Sequence, residues 1–156
     1  MDKKPISRAG YDKLAAELKD LNEVQRPAIL AAIALAREHG DLSENADYSA
    51  AKEKQRHIDK RIRWLTDTMK NLNVIDTENL SGERAVFGAS VVLEDEDGKT
   101  LSCRLLSDFE SDVSAGVISC QSPIGRAVIG KCVGDTCVVR TPSGEKEYEV
   151  MEIKFK

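Results

Sequence analysis

Ala36-Arg37-Glu38-His39-Gly40-Asp41-Leu42-Ser43-Glu44-Asn45-Ala46-Asp47-Tyr48 breaks two long stretches of helical periodicity, and its reading decides the fold. On its N-terminal side, Tyr11, Leu14, Leu18, Leu21, Gln25, Ala28, Ala32 and Leu35 recur at alternating intervals of three and four, the seam of a heptad helix. On its C-terminal side, Tyr48, Ala51, Gln55, Ile58, Ile62, Leu65, Met69 and Leu72 repeat that spacing. Two antiparallel helices joined by a short turn match positions whose numbers add to a constant. Here all eight pairs, from Tyr11 with Leu72 to Leu35 with Tyr48, give 83. The centre falls between Asp41 and Leu42, so the turn is expected at 39–45.

Gly40 suits a left-handed position just past the first helix, and Asp41 or Ser43 is expected to cap the second. Tyr11 to Arg37, about 27 residues at 1.5 Å each, makes an arm of roughly 40 Å. Pro27 lacks an N–H and crowds the carbonyl of Glu23, so a kink is expected there. The seam is expected to narrow from leucine, isoleucine and methionine at the base to alanine and glutamine near the turn.

From residue 85 the period changes to two. Ser90–Glu94, Leu101–Leu105, Val117–Cys120, Thr136–Arg140 and a last segment bearing Tyr148, Val150, Ile153 and Phe155 read as about five mostly antiparallel strands. Ser122-Pro123 starts a short helix running to about Ile129, with Gly130 stopping it. The fold class is therefore α+β: a hairpin over 1–75, a linker over 76–84 and a globular domain over 85–156.

Composition narrows the function classes. With 41% hydrophobic and 32% charged residues in 156, the chain reads as globular and soluble. The longest apolar run, Ala28–Ala36, is too short to span a membrane, and Met1–Pro5 leads into no apolar signal segment. A cytoplasmic protein without membrane attachment is expected. Cys103, Cys120, Cys132 and Cys137 form no C-x-x-C pair and are expected to be small buried hydrophobes, not zinc ligands. Residues 1–75 hold 14 basic and 12 acidic side chains, whereas 76–156 hold 9 and 15. Six bases (Lys52, Lys54, Arg56, Lys60, Arg61 and Arg63) crowd the second helix against two acids, Glu53 and Asp59.

Two features carry chemistry. Asp41-x-x-Glu44, with Asp47 one turn later, places carboxylates at the end of a slim probe, where hard oxygens suit a partner's Mg²⁺. The same spacing fits a capping box that only starts a helix. The basic stripe suits a nucleic-acid strand held by its phosphates, or simply a solvated helix face.

The stretch 36–48 resembles the tip signature of the bacterial Gre transcript-cleavage factors (GreA and GreB). Phe87-Gly88-Ala89, Ser122-Pro123-Ile124, Ile129-Gly130-Lys131 and Thr141-Pro142-Ser143-Gly144-Glu145 match further landmarks in order. The resemblance covers the whole chain. Residues 28–40 and 129–131 lean toward the GreA branch, which is narrowly favoured, and residues 48–76 toward GreB. It implies an FKBP-like second domain that docks at the rim of the RNA polymerase secondary channel through Gln121, Ser122 and Pro123, although Gln121 replaces the usual Asp or Asn. It also implies that Asp41 and Glu44 share a Mg²⁺ with the polymerase, which then cleaves its own backtracked RNA. Arg37, Lys52 and Arg56 would contact the nascent RNA 3′ end, Lys52 standing where some relatives have Arg. On this reading the chain is a monomeric transcription elongation factor that works in trans and is not itself an enzyme. A Gre-like channel binder that inhibits polymerase, a free-standing metal-dependent nuclease and a coiled-coil adaptor without catalytic contribution are the alternatives.

Overall fold

The computed structural model describes residues 3–38, 40, 45–77 and 80–155. They fall into two compact units, Tyr11–Asn71 and the remainder, which joins residues 1–10 to Leu72–Lys156. This differs from the division expected at residue 75. Lys4–Ser7 (β1) and Leu72–Ile75 (β2) are strands paired in parallel, with Ile6 and Leu72 buried between the unit's elements. Leu72 is thus a strand residue, and the last rung of the expected helical seam does not exist.

In the helical unit, α1 (Arg8–Asp20), a π-helical segment (Leu21–Gln25) and α2 (Arg26–Arg37) form the first arm, and α3 (Ala46–Lys70) forms the second. α3 follows the expected heptad: Ala51, Ile58 and Leu65 are buried, while Tyr48, Gln55, Ile62 and Met69 between them are half-buried. The first arm departs from it. Leu14 and Leu21 are buried as expected, but beyond the π segment the buried residues are Ile29, Ile33 and Ala36, not Ala28, Ala32 and Leu35. Leu35 is 60% exposed.

Every seam position beyond the π segment has moved by one residue, and the cause is local. Pro27, in the first turn of α2, has no N–H to give, and its ring would crowd the carbonyl four residues back. The chain answers with a wider turn in which the Arg26 N–H reaches the Leu21 carbonyl, five residues back. That turn absorbs one extra residue and rotates everything after it. The rotation trades Ala28 and Ala32 for Ile29 and Ile33 in the seam, and Leu35 for Ala36. The net gain is about three buried side-chain carbons, worth about 2 kcal/mol at ~0.8 kcal/mol per carbon. The seam accordingly does not thin to alanine and glutamine as early as expected; Ile29 and Ile33 carry it most of the way along α2.

The second unit is a five-stranded sheet ordered β5-β4-β3-β7-β6, built from β3 (Ser90–Asp95), β4 (Thr100–Leu106), β5 (Val117–Ser119), β6 (Thr136–Thr141) and β7 (Gly144–Lys154). Every pairing is antiparallel except β4 with β5. Val91, Leu93, Cys103, Leu105, Cys137 and Val150 form its core, closed by Val128 of the short helix α4 (Pro123–Val128). These five strands and one helix are the ones the alternating pattern predicts, and are compatible with an FKBP-like fold. The linker expected at 76–84 is tied down where described. Thr77 accepts a hydrogen bond from Arg104 (3.2 Å), and Arg84 reaches the Gly130 carbonyl (3.0 Å).

Glu110 ties residues 7–10 to Ser107 within this unit. Its carboxylate accepts from the Ser7 amide (3.2 Å), the Ser7 hydroxyl and the Ser107 hydroxyl (2.8 Å), while Ser7 Oγ accepts from the Gly10 amide (3.1 Å). Of the cysteines, Cys103 and Cys137 are buried but Cys120 and Cys132 are only half-buried. Burial pushes the Cys103 and Cys120 thiols up to about 11, so neither is a thiolate near neutrality. Among the described residues no helix is long and apolar enough to cross a membrane.

The displaced seam makes a direct prediction. Ile33→Ala should lower the urea stability of the helical unit, followed by circular dichroism, by about 2–4 kcal/mol. Leu35→Ala should change it by no more than about 0.5 kcal/mol. The expected heptad seam would reverse that order.

Candidate functional site

The tip of the hairpin is bracketed by two well-defined helix ends. α2 ends at Arg37, which is exposed, and the Gly40 amide bonds back to the Arg37 carbonyl (3.3 Å) with φ +101°. This is the left-handed turn that only glycine adopts without strain. On the other side Asn45, not Asp41 or Ser43, is the N-cap of α3. Its Oδ1 accepts from the Tyr48 amide (3.1 Å), and its Nδ2 donates to the Ala36 carbonyl (2.7 Å). One amide side chain thereby satisfies an orphan N–H of the second arm and an orphan carbonyl of the first.

Asp41 and Glu44, together with His39, Leu42 and Ser43, lie outside the described residues. What the described residues do decide is which side chain caps α3. The cap and its N3 partner are Asn45 and Tyr48, so Asp41-x-x-Glu44 ends one residue before the cap position and is not a capping box for this helix. Asp47, in the first turn of α3, is exposed, where the positive end of the helix favours a carboxylate. Among the described residues no group of three or more His, Cys, Asp or Glu is gathered to hold a metal ion.

The basic stripe is less uniform than its sequence suggests. Lys52 donates to Gln55 Oε1 (3.1 Å), a neutral partner, and makes no ion pair among the described residues. Arg56 pairs with Glu53 and, with His57 adding to the effect, holds that carboxyl below its ordinary value. Arg61 forks onto Glu17 of α1 (2.8–3.1 Å), and Arg26 of α2 pairs with Asp59 (3.0 Å), so these two cations join the arms. Arg61 also lies 4.6 Å from the centre of the Trp64 ring.

In the second unit, Ser122 caps α4. Its Oγ accepts from the Gly125 amide (3.1 Å) and donates to the Ser119 carbonyl (2.6 Å), and Pro123 opens the helix. The Gln121 amide donates to Ser119 Oγ (3.0 Å), whose hydroxyl donates to Asp108. A Cβ on Gly125 would stand 2.2 Å from the Ser119 carbonyl oxygen, so the helix start sits against the end of β5 as only glycine permits. Gln121 and Pro123 are exposed on this pinned loop.

Residues 4–74 match the model described as "Transcription elongation factor, N-terminal", and residues 80–155 match "Transcription elongation factor, GreA/GreB, C-term". The chain belongs to the GreA/GreB family of transcription elongation factors. It is 49% identical over 156 residues to Transcription elongation factor GreA of Anaeromyxobacter sp. (strain K), covering 99% of this chain and 94% of that one. Identity to the GreA of Phenylobacterium zucineum (strain HLK1) is also 49%, with 99% of each covered. Among solved structures, one of the transcription factor Gfh1 is 30% identical, with 98% of this chain and 99% of that one covered and a TM-score of 0.46. The similarity to GreA sequences accords with the branch favoured by residues 28–40.

Within this GreA/GreB family chain the sequence alone did not single out Asn45 or Ser119. Asn45 is a strong N-cap type directly before a helical run, a signal that was present but outranked by Asp41 and Ser43. Asn45→Ala removes both of its bonds and should destabilise the hairpin by about 1–2 kcal/mol, read as a lower urea midpoint. Ser43→Ala should leave that midpoint in place.

Proposed function

We propose that this elongation factor acts in trans on RNA polymerase, presenting Asp41 and Glu44 at the polymerase's own active centre to stimulate cleavage of backtracked RNA. The observation that carries the reading is the Asn45 cap. With α3 capped by the Asn45 amide, the helix start does not call on Asp41 or Glu44, which stand in sequence between the two arms. Family membership supports the polymerase as target.

The donor set fits the cofactor. Carboxylate oxygens are hard ligands, and Mg²⁺ ordinarily takes one or two of them plus water, the rest here coming from the partner. A Mg²⁺ held jointly with the polymerase supplies Lewis-acid polarisation and an activated water for phosphodiester hydrolysis. The work of this chain's residues is positional. Asp41 and Glu44 hold and orient, Arg37, Lys52 and Arg56 meet the RNA phosphates near its 3′ end, and Gln121, Ser122 and Pro123 dock on the channel rim. The capped, glycine-packed start of α4 supports that last role by presenting Gln121 and Pro123 on a rigid loop. The factor acts as a monomer in the cytoplasm.

Asp41→Asn with Glu44→Gln tests the acids. The double variant should keep the thermal midpoint and polymerase binding of the parent while losing cleavage of stalled complexes. Undiminished cleavage would remove the metal role; cleavage of RNA by the parent protein with Mg²⁺ alone would replace it with a nuclease. A second test concerns the arm. Lys52→Ala should weaken retention of backtracked RNA more than Arg56→Ala, because Glu53 already offsets Arg56. Both effects should shrink as salt rises; salt-independent loss would indicate disturbed packing.

A further inference from the structure

We infer that Trp64 and the cations around it form a nucleobase-stacking site for single-stranded RNA part-way along α3, separate from the tip and from Lys52 and Arg56. Trp64 is the chain's single tryptophan and stands outside the seam, between its members Ile62 and Leu65, with 44% of its surface open to solvent. Its ring lies under the Arg61 guanidinium and still presents that surface to solvent. Its neighbours set it apart from an incidental exposed apolar residue. From 60 to 64 the helix carries Lys60, Arg61 and Arg63 and no acid.

The three cations divide the work. Arg61 is committed: Glu17 holds its guanidinium, which in turn lies 4.6 Å from the ring centre. That arrangement fixes the indole in one pose and orders it before any ligand arrives. Lys60, one turn earlier, and Arg63, adjacent in sequence, are both exposed, and among the described residues neither makes an ion pair. Asp59 is paired with Arg26, and Asp67, one turn beyond Trp64, bounds the patch on that side.

A pre-ordered aromatic face beside two uncompensated cations matches single-stranded nucleic acid, in which a base stacks while its phosphates meet the charges. The ring shape suits any base, so sequence preference is not expected. A duplex hides its base faces and does not fit. A protein partner would be expected to answer the cations with carboxylates, an outcome the test separates.

The inference rests on the reading that the basic arm meets RNA, and its RNA titration needs neither polymerase nor Mg²⁺, so failure there leaves the role of Asp41 and Glu44 standing. The full-length protein is titrated at low salt with an end-labelled single-stranded RNA, following RNA anisotropy and Trp64 emission together. Emission should be quenched in step with binding. Trp64→Leu should weaken binding on the order of tenfold, as loss of one stacked base implies. Trp64→Phe should restore part of it, and Lys60→Ala with Arg63→Ala should weaken it and flatten its salt dependence. Thermal midpoints confirm that each variant folds. Asp41→Asn with Glu44→Gln should bind this RNA no more weakly than the parent. No binding at low salt, binding without quenching, equal quenching by heparin (a polyanion without bases), or parental affinity in Trp64→Leu would each overturn the site. Loss of polymerase binding by Trp64→Leu with RNA affinity intact would assign the face to a protein instead.

Discussion

A residue without an amide hydrogen sits in the first arm, and how the helix accommodates it determines which side chains the hairpin buries. Pro27 in a regular α-helix costs about 3 kcal/mol through a missing bond and a crowded carbonyl. The π segment at Leu21–Gln25 takes up that misfit within one widened turn. Because the turn absorbs one residue, it also acts as a register shift. Ile29, Ile33 and Ala36 face inward where an uninterrupted heptad would put Ala28, Ala32 and Leu35. Two isoleucines are gained and one leucine is lost from the seam, so the packing that the widened turn permits offsets part of the cost of the proline.

The same economy of side chains governs the tip. A hairpin turn leaves carbonyls at the end of one helix and amides at the start of the next, and both need partners. Asn45 serves both through one amide group. An acid in that position could accept but not donate, and the bond to the Ala36 carbonyl would be lost. The choice of asparagine means that the cap of α3 is not a carboxylate, which links the local hydrogen-bond accounting to the role proposed for Asp41 and Glu44. The basic arm shows a parallel division. Arg61 and Arg26 are spent joining helices, Arg56 is offset by Glu53, and Lys52, Lys60 and Arg63 make no ion pair among the described residues.

In the second unit, strands from distant parts of the chain are brought together. β1 and β2, separated by the whole hairpin, pair in parallel, and Glu110 gathers Ser7 and Ser107 around one carboxylate.

The sequence by itself determined the elements: two long helices from the three-four spacing, five strands and one short helix from alternation and the Ser-Pro start, and the turn at Gly40. These follow from local periodicity, which is written in neighbouring residues. Only the tertiary structure decided the rest. Pro27 announces a disturbance, but whether it kinks the helix or widens a turn depends on what the opposite helix rewards. Asp41, Ser43 and Asn45 are all competent caps, and the choice falls to the one whose second group also reaches the Ala36 carbonyl. Four-residue strands such as Lys4–Ser7 and Leu72–Ile75 carry too little pattern to announce themselves, because each becomes a strand only when the other lies beside it.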